Sequence, residues 1–368
     1  LAATTLREFE IMLFRQAGIF HTDFAADRAL FQIPADRWMI GILLLLGLTA
    51  PFYMNSLYLS SYLLPWLIWT AGALGLNLIL GWAGQFHLGY AAVMGIGAYA
   101  TVHATRFGVP WEIAIILGGV TASIVGIVFA FAALRVKGLY LALSTLALQF
   151  VTDWTISHVT AISGGAQATF QAPNIRLLGW PITSDAGLYY VAFVWCIVVT
   201  SFMLNLRRSA LGRALVAVRE KDYAAAVIGV NSFYFKLVAF ATSSFIGGVT
   251  GAVMVFTFYH AVTPEQFSVD VSIQTLAMVI VGGLGSIIGS YFGAAFILLV
   301  PGVMNSFISW AATRFGVALS METLAHLPHA LYGALIISFL LIEPSGLGKI
   351  YSNVRDYLLV WPFGYVKK

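Results

Sequence analysis

Asp153 is a carboxylate set in an apolar stretch, LQFVTDWTISH, with Gln149 four residues before it and His158 five after. Positions 149 and 153 share a face if the stretch is helical. An ionisable group in such a run is costly and is a functional candidate by default. The chemistry that this pair supports is hydrogen bonding to a polar solute along a pathway. No second carboxylate and no nucleophile–base constellation stands near it, so acid–base or covalent catalysis is not indicated. Gln85 and His87 lie in a glycine-rich segment, and Asn77 and Gln274 are further polar points in apolar surroundings. Each of these also suits a buried hydrogen bond that fixes helix packing, which is the commoner role for any one of them. His326 and His329 do not read as a metal site.

A second concentration of chemistry is the stretch LRRSALGRALVAVREKDYAAAVIGVNSFYFKLVAF, residues 206–240. It carries Arg207, Arg208, Arg213, Arg219, Glu220, Lys221, Asp222 and Lys236 in a chain that is only 9% charged. A basic, partly helical loop closed in by apolar runs is suited to dock another protein. The plainer alternative is that its charges merely hold a loop in the cytoplasm.

The elements that must position these residues are membrane spans. The chain has 368 residues and is 60% hydrophobic, with mean hydropathy +0.89. A soluble domain of this size cannot hide so much apolar surface, so the fold class is an all-α polytopic membrane protein. Windows of about 20 apolar residues, the length that crosses a bilayer, fall at about ten places. They lie near 38–58, 60–80, 87–105, 111–134, 139–159, 187–206, 235–258, 271–289, 291–310 and 327–343. This leaves an N-terminal segment 1–37, a membrane domain 38–343 whose charged loop spans about 207–236, and a tail 344–368. Ten spans with both ends inside put all but Arg106, Arg176 and Arg314 of the 19 Lys and Arg residues on the cytoplasmic side. Trp38, Trp111, Trp180, Trp310 and Trp361 fall near expected span ends, as an aromatic belt requires.

The ends are less defined. Residues 6–20 suit an interfacial helix or a tail, and so do 350–368, where Lys367 and Lys368 match anionic headgroups. The first strong apolar run begins near Trp38, so no cleavable signal peptide is expected, and a start at Leu1 leaves room for upstream residues. Cys196 is the single cysteine and excludes an intrachain disulfide. The 35 glycines point to closely approaching helices. The glycine-rich segments 81–100 and 281–295 read as helix breaks lining a pathway.

These segments carry a resemblance. GWAGQFHLGYAAVMGIGAYA (81–100), LRVKGLYLALSTLALQF (134–150), SGG (163–165) and GRALVAVREKDYAAAVIGVNSFYFKLVAF (212–240) resemble one family. So do VTPEQFSVDVSIQTLAMVIVGGLGSIIGSYFGAA (262–295) and EPSGLGK (343–349). Together they resemble the permease subunit of branched-chain amino acid-type ABC importers, in order from about Trp38 to Lys349. The resemblance implies a bacterial inner-membrane transporter subunit, not an enzyme. Its implied partners are a second homologous permease, two cytoplasmic ATPases, a periplasmic substrate-binding protein and membrane lipids, with no nucleic acid. It implies no cofactor here, ATP and Mg being held by the partner subunits, and the sequence has no G-x-x-x-x-G-K-[ST] loop of its own.

In such permeases a short cytoplasmic helix enters a cleft of the ATPase, with the pattern Glu-Ala-Ala, three residues, Gly. Ala224, Ala225 and Gly229 fit that pattern here, Tyr223 stands at the Glu position, and Glu220 lies one turn earlier. The resemblance implies salt bridges and register from Arg219, Glu220 and Asp222. It leaves the solute open among branched-chain amino acids, amides and urea. A stand-alone ion-coupled transporter, with Asp153 as its mid-membrane carboxylate, is the alternative.

Overall fold

The computed structural model describes residues 34–360 except 136–137, 166–167, 178, 316–330, 332, 340, 342 and 344. The expected N-terminal interfacial segment and much of the expected span 327–343 therefore lie outside the described residues. Two compact units emerge, one of Leu1–Met54 with Lys349–Lys368 and the other of Asn55–Gly348. In the first unit, α1 (Pro34–Tyr53) exposes Trp38, Ile42, Leu43 and Leu45. Apolar side chains left bare to that degree belong against lipid or protein rather than water.

The second unit is predominantly helical. Its long elements are α2 (Ser56–Trp82), α3 (Tyr90–Arg106), α4 (Trp111–Ala133), α5 (Leu139–His158) and α6 (Asp185–Arg208). The short pair α7 (Ala210–Glu220) and α8 (Asp222–Val227) follows, then α9 (Ser232–Tyr259), α10 (Val269–Gly282) and α11 (Ile287–Phe315). A last helix, α12 (Leu347–Val360), begins at the end of this unit. Polar caps start several helices: Ser184 accepts from the Gly187 N–H at α6, Ser209 from Gly212 at α7 and Asn231 from Tyr234 at α9. Among the described residues five helices, α2, α4, α6, α9 and α11, are long and apolar enough to cross a membrane.

Burial ranks them. The apolar window of α2 is 89% buried and that of α9 78%, against 33% for α4 and α11. The former two are therefore the centre of the unit, and the latter carry the lipid-compatible faces. α2 and α9 pack antiparallel: Gly72 lies beside Thr250, Gly75 lies beside Ile246, and Ser243 Oγ donates to the Gly75 carbonyl at 2.5 Å. Each ends in a wide π-helical turn, Leu78–Trp82 in α2 and Val255–Tyr259 in α9. Lipid offers little hydrophobic drive for helix association, so close packing must hold the helices together. At the α3–α4–α9 contact a Cβ on Gly97 would collide with the backbone of Gly248, and one on Gly118 with the Gly97 carbonyl.

The helix bounds revise two sequence expectations. The split expected near 290 falls at 283–286 instead, where Gly283 (φ 111°) and Gly285 (φ 80°) leave the helical region. The span expected from 87 starts at Tyr90, after a non-helical passage from Ala83 to Gly89. The all-α expectation also omits two small antiparallel pairs. One is β1 (Phe170–Gln171) with β4 (Ala261–Val262), and the other is the hairpin of β2 (Arg176–Leu177) and β3 (Trp180–Pro181).

Candidate coupling segment and translocation core

α7 and α8 form a bent, partly anchored projection. Leu215 and Val218 are buried on the inner face of α7. Lys221, in an extended conformation (φ −152°), separates the two helices. Asp222 is held by Lys236 at the start of α9, with Nζ 2.7 Å from Oδ2, and the Ser232 hydroxyl donates to its carbonyl at 3.4 Å. Ala225 is buried, whereas Tyr223 is 84% exposed, Ile228 75% and Val227 71%. Gly229 (φ 89°) closes α8, and the Val230 N–H returns to the Ala225 carbonyl at 2.9 Å. A left-handed glycine just past a helix is a common way to end it.

The residues singled out from sequence thus point in different directions. Glu220, Ala224 and Gly229 face outward with Tyr223. Ala225 faces inward and Asp222 is tied to α9. Arg219 bridges: Nη2 lies 2.6 Å from Glu220 Oε1, and Nη1 donates to the Gly81 carbonyl at 2.5 Å.

Gly81 belongs to the first of two polar networks. Asn77 on α2 is buried, and its Oδ1 accepts from the Gly285 N–H at 2.8 Å. Its Nδ2 donates to the Ser286 carbonyl (3.0 Å) and Ser290 Oγ (2.9 Å), and Trp82 Nε1 donates to the Gly285 carbonyl (3.1 Å). Asn77 thereby engages the backbone on both sides of the Gly285–Ser286 peptide, just before α11 starts. A cavity of about 470 Å³ opens beside this break, lined by Leu80, Gly84, Phe86, Arg219, Leu284 and Ser345. Gln85 sits nearby, half-buried, with Nε2 donating to the Ala83 carbonyl (3.0 Å).

The second network surrounds the start of α3. The Leu88 N–H donates to Thr145 Oγ1 (2.9 Å), Ala91 to Ser272 Oγ (2.8 Å) and Ala92 to Gln149 Oε1 (2.8 Å). Gln149 Oε1 also accepts from Ser272 (2.9 Å), while its Nε2 donates to the Phe267 carbonyl (2.7 Å) and Asp153 Oδ1 (2.9 Å). Every hydrogen-bonding position of that amide is occupied, and three separate segments meet on it. Asp153 stays half-buried at the edge. His87 is buried against Tyr90 and Phe240, its Nδ1 accepting from the Gly89 N–H at 3.2 Å. Gln274 lies on α10, half-buried, and belongs to neither network. Hydrogen bonds therefore bring Gln149 and Asp153 together and leave Asn77 in a separate group. Sequence reading missed Thr145, Ser272, Ser286 and Ser290. The i, i+4 spacing of Thr145 with Gln149 and of Ser286 with Ser290 is the signal that marks two of those faces.

Comparison with known proteins bears on this arrangement. The family model for the branched-chain amino acid transport system permease component matches residues 58–341. The high-affinity branched-chain amino acid transport system permease protein LivM of Escherichia coli is 28% identical over 302 residues, 74% of this chain and 70% of that protein. The LivM protein of Salmonella typhimurium is 29% identical over 66% of this chain and 63% of its own length. A probable LivM protein of Methanocaldococcus jannaschii is 22% identical, over 64% and 67% of the two chains. Among solved structures, PsaBC from Streptococcus pneumoniae in complex with Fab aligns over 85% of this chain and 99% of that one, at 11% identity and a TM-score of 0.42, too loose a likeness to carry argument. These relatives are permease subunits rather than enzymes. With the family match running from the first turn of α2 to the last described helical residues before Glu343, the chain belongs to the permease components of branched-chain amino acid ABC transport systems.

Proposed function

We propose that the chain forms half of the translocation pathway of an ATP-driven, binding-protein-fed importer in a bacterial inner membrane. It crosses about ten times with both ends in the cytoplasm, beside a second homologous permease. Its cargo is branched-chain amino acids, or related small polar solutes such as amides and urea. Residues 212–229, within the charged region of about 207–236, are the cytoplasmic coupling segment, entering a cleft of one of the two ATPases that hold ATP and Mg. The observation that carries the reading is the exposed apolar tip of α8. Tyr223, Val227 and Ile228 project from a helix pinned from behind by Ala225 and the Asp222–Lys236 pair. Large apolar side chains held out on a charged loop mark a protein contact.

The test is a mild-detergent pull-down of the tagged chain from native membranes, read by mass spectrometry, with uptake of radiolabelled leucine by the same cells. Recovery of two ATPases and a second permease from wild type, with loss of the ATPases in Ile228→Asp, is the expected result. Recovery of the chain alone, still active in vesicles without ATP, overturns it in favour of ion-coupled transport. The half-buried Asp153 carboxylate is the feature that keeps this second reading in view.

A further inference from the structure

Arg219 sits one residue from the end of α7, yet its guanidinium reaches away from the α8 tip. It donates to Gly81 at the π-helical end of α2, the most buried spanning helix. A Cβ on Gly84 would meet Arg219 Cγ, and one on Gly285 would lie 3.6 Å from Arg219 Nη1. Both glycines have positive φ, 65° and 80°. Next to them Gly283 (φ 111°) packs against Gly346 (φ 79°), and a Cβ on Gly283 would stand 2.8 Å from the Ser345 carbonyl. Left-handed glycines absorb backbone rotation at low cost, so this is a place where chain segments can pivot. Asn77 and Trp82 already lock the two breaks together at Gly285.

We propose that Arg219 is the positioning residue through which α7–α8 moves the Gly81–Gly285 break, rather than a contact for the ATPase. The inference rests on α7–α8 being the coupling segment. The guanidinium suits this task because its planar fork holds two partners in fixed directions. Here these are the Gly81 carbonyl and the Glu220 carboxylate. A displacement of α7 is thus delivered to the end of α2, and through Asn77 to the start of α11. The cavity lined by Phe86, Leu284 and Arg219 is where the movement opens or closes space.

The experiment uses the importer purified with its native partners and reconstituted with its binding protein. Arg219→Ala and Arg219→Lys are compared with wild type and with Ile228→Asp. Spin labels at Phe86→Cys and Leu284→Cys, in a Cys196→Ser background, report the width of the cavity with and without ATP and vanadate. Both labelled positions are about half exposed, 50% and 51%.

The expected result is that both Arg219 variants keep their ATPases and hydrolyse ATP near the wild-type rate. Leucine uptake falls about tenfold or more, and the nucleotide-dependent change in label distance disappears. Loss of the ATPases, as in Ile228→Asp, overturns the proposal by making Arg219 a docking contact. So does full uptake, or an unchanged distance response. Arg219→Lys keeps the stem and charge and carries the test if Arg219→Ala fails to fold. Wild type that brings down no ATPases overturns the coupling assignment itself, before any Arg219 variant is read.

Discussion

The side chain of Asn77 accepts the backbone N–H of Gly285 from 208 residues away, and the same amide donates to Ser286 and Ser290. One buried side chain therefore fixes where α11 begins relative to the C-terminal end of α2. A buried group left without its partner costs about 1–3 kcal/mol, so Asn77→Ala destabilises the chain by roughly that amount. The thermal unfolding midpoint in detergent checks this. An unchanged midpoint would show that water or neighbouring hydroxyls replace the amide without cost.

Gln149 and Asp153 make separable predictions. Gln149→Leu preserves bulk but strips the Ala92 N–H and the Phe267 carbonyl of their partner, so both stability and uptake fall. Asp153→Asn leaves Gln149 an oxygen to donate to and leaves stability within about 1 kcal/mol of wild type. If Asp153 lines the path, uptake in that variant falls severalfold at all substrate concentrations. Wild-type uptake would return Asp153 to a packing role.

How far these relations were legible in sequence depends on their range. The bounds of α4, α5 and α6 follow the apolar windows within a few residues because one contiguous stretch determines each. The glycine-rich segment 281–295 reads as a break, but the hydropathy windows set its edge near 290; backbone conformation at Gly283 and Gly285 sets it at 283–286. The location of α7–α8 was readable from its charge. The direction of Arg219 was not, since its acceptor is a backbone carbonyl 138 residues distant that no side-chain pattern announces. Gln149 was legible as a polar residue in an apolar stretch, but its neighbours Ser272 and the Phe267 carbonyl come from across the fold.

The Lys236–Asp222 pair predicts a local effect. The Lys236 side chain is 13% exposed and that of Asp222 36%, so solvent screens the pair only in part. A double-mutant cycle with Lys236→Met and Asp222→Asn should return a coupling of about 1 kcal/mol. Because the pair fastens α8 to α9, Lys236→Met also speeds tryptic cleavage at Lys221 by favouring local opening. Cleavage at the wild-type rate would mean that Ala225 and the Ser232 hydroxyl anchor α8 without the ion pair.

The glycine contacts give the sharpest contrast between positions of the same residue type. A side chain at Gly97 would enter the space held by the Gly248 backbone, and both flanking helices are fixed by further contacts of the same kind. Rigid backbones on both sides leave no rotamer to absorb the clash. Gly97→Val therefore has to part α3 from α9, and overpacking of this type costs about 1–3 kcal/mol or more. Gly302 on α11 has open space where its Cβ would stand. There Gly302→Ala gains helix propensity of up to about 1 kcal/mol with nothing to displace. Fluorescence-detected size exclusion after graded heating of the isolated chain distinguishes the two. Gly97→Val should aggregate at temperatures that wild type survives, and Gly302→Ala should match or exceed wild type. Equal behaviour of the two variants would mean that α3 and α9 are not held by close backbone approach.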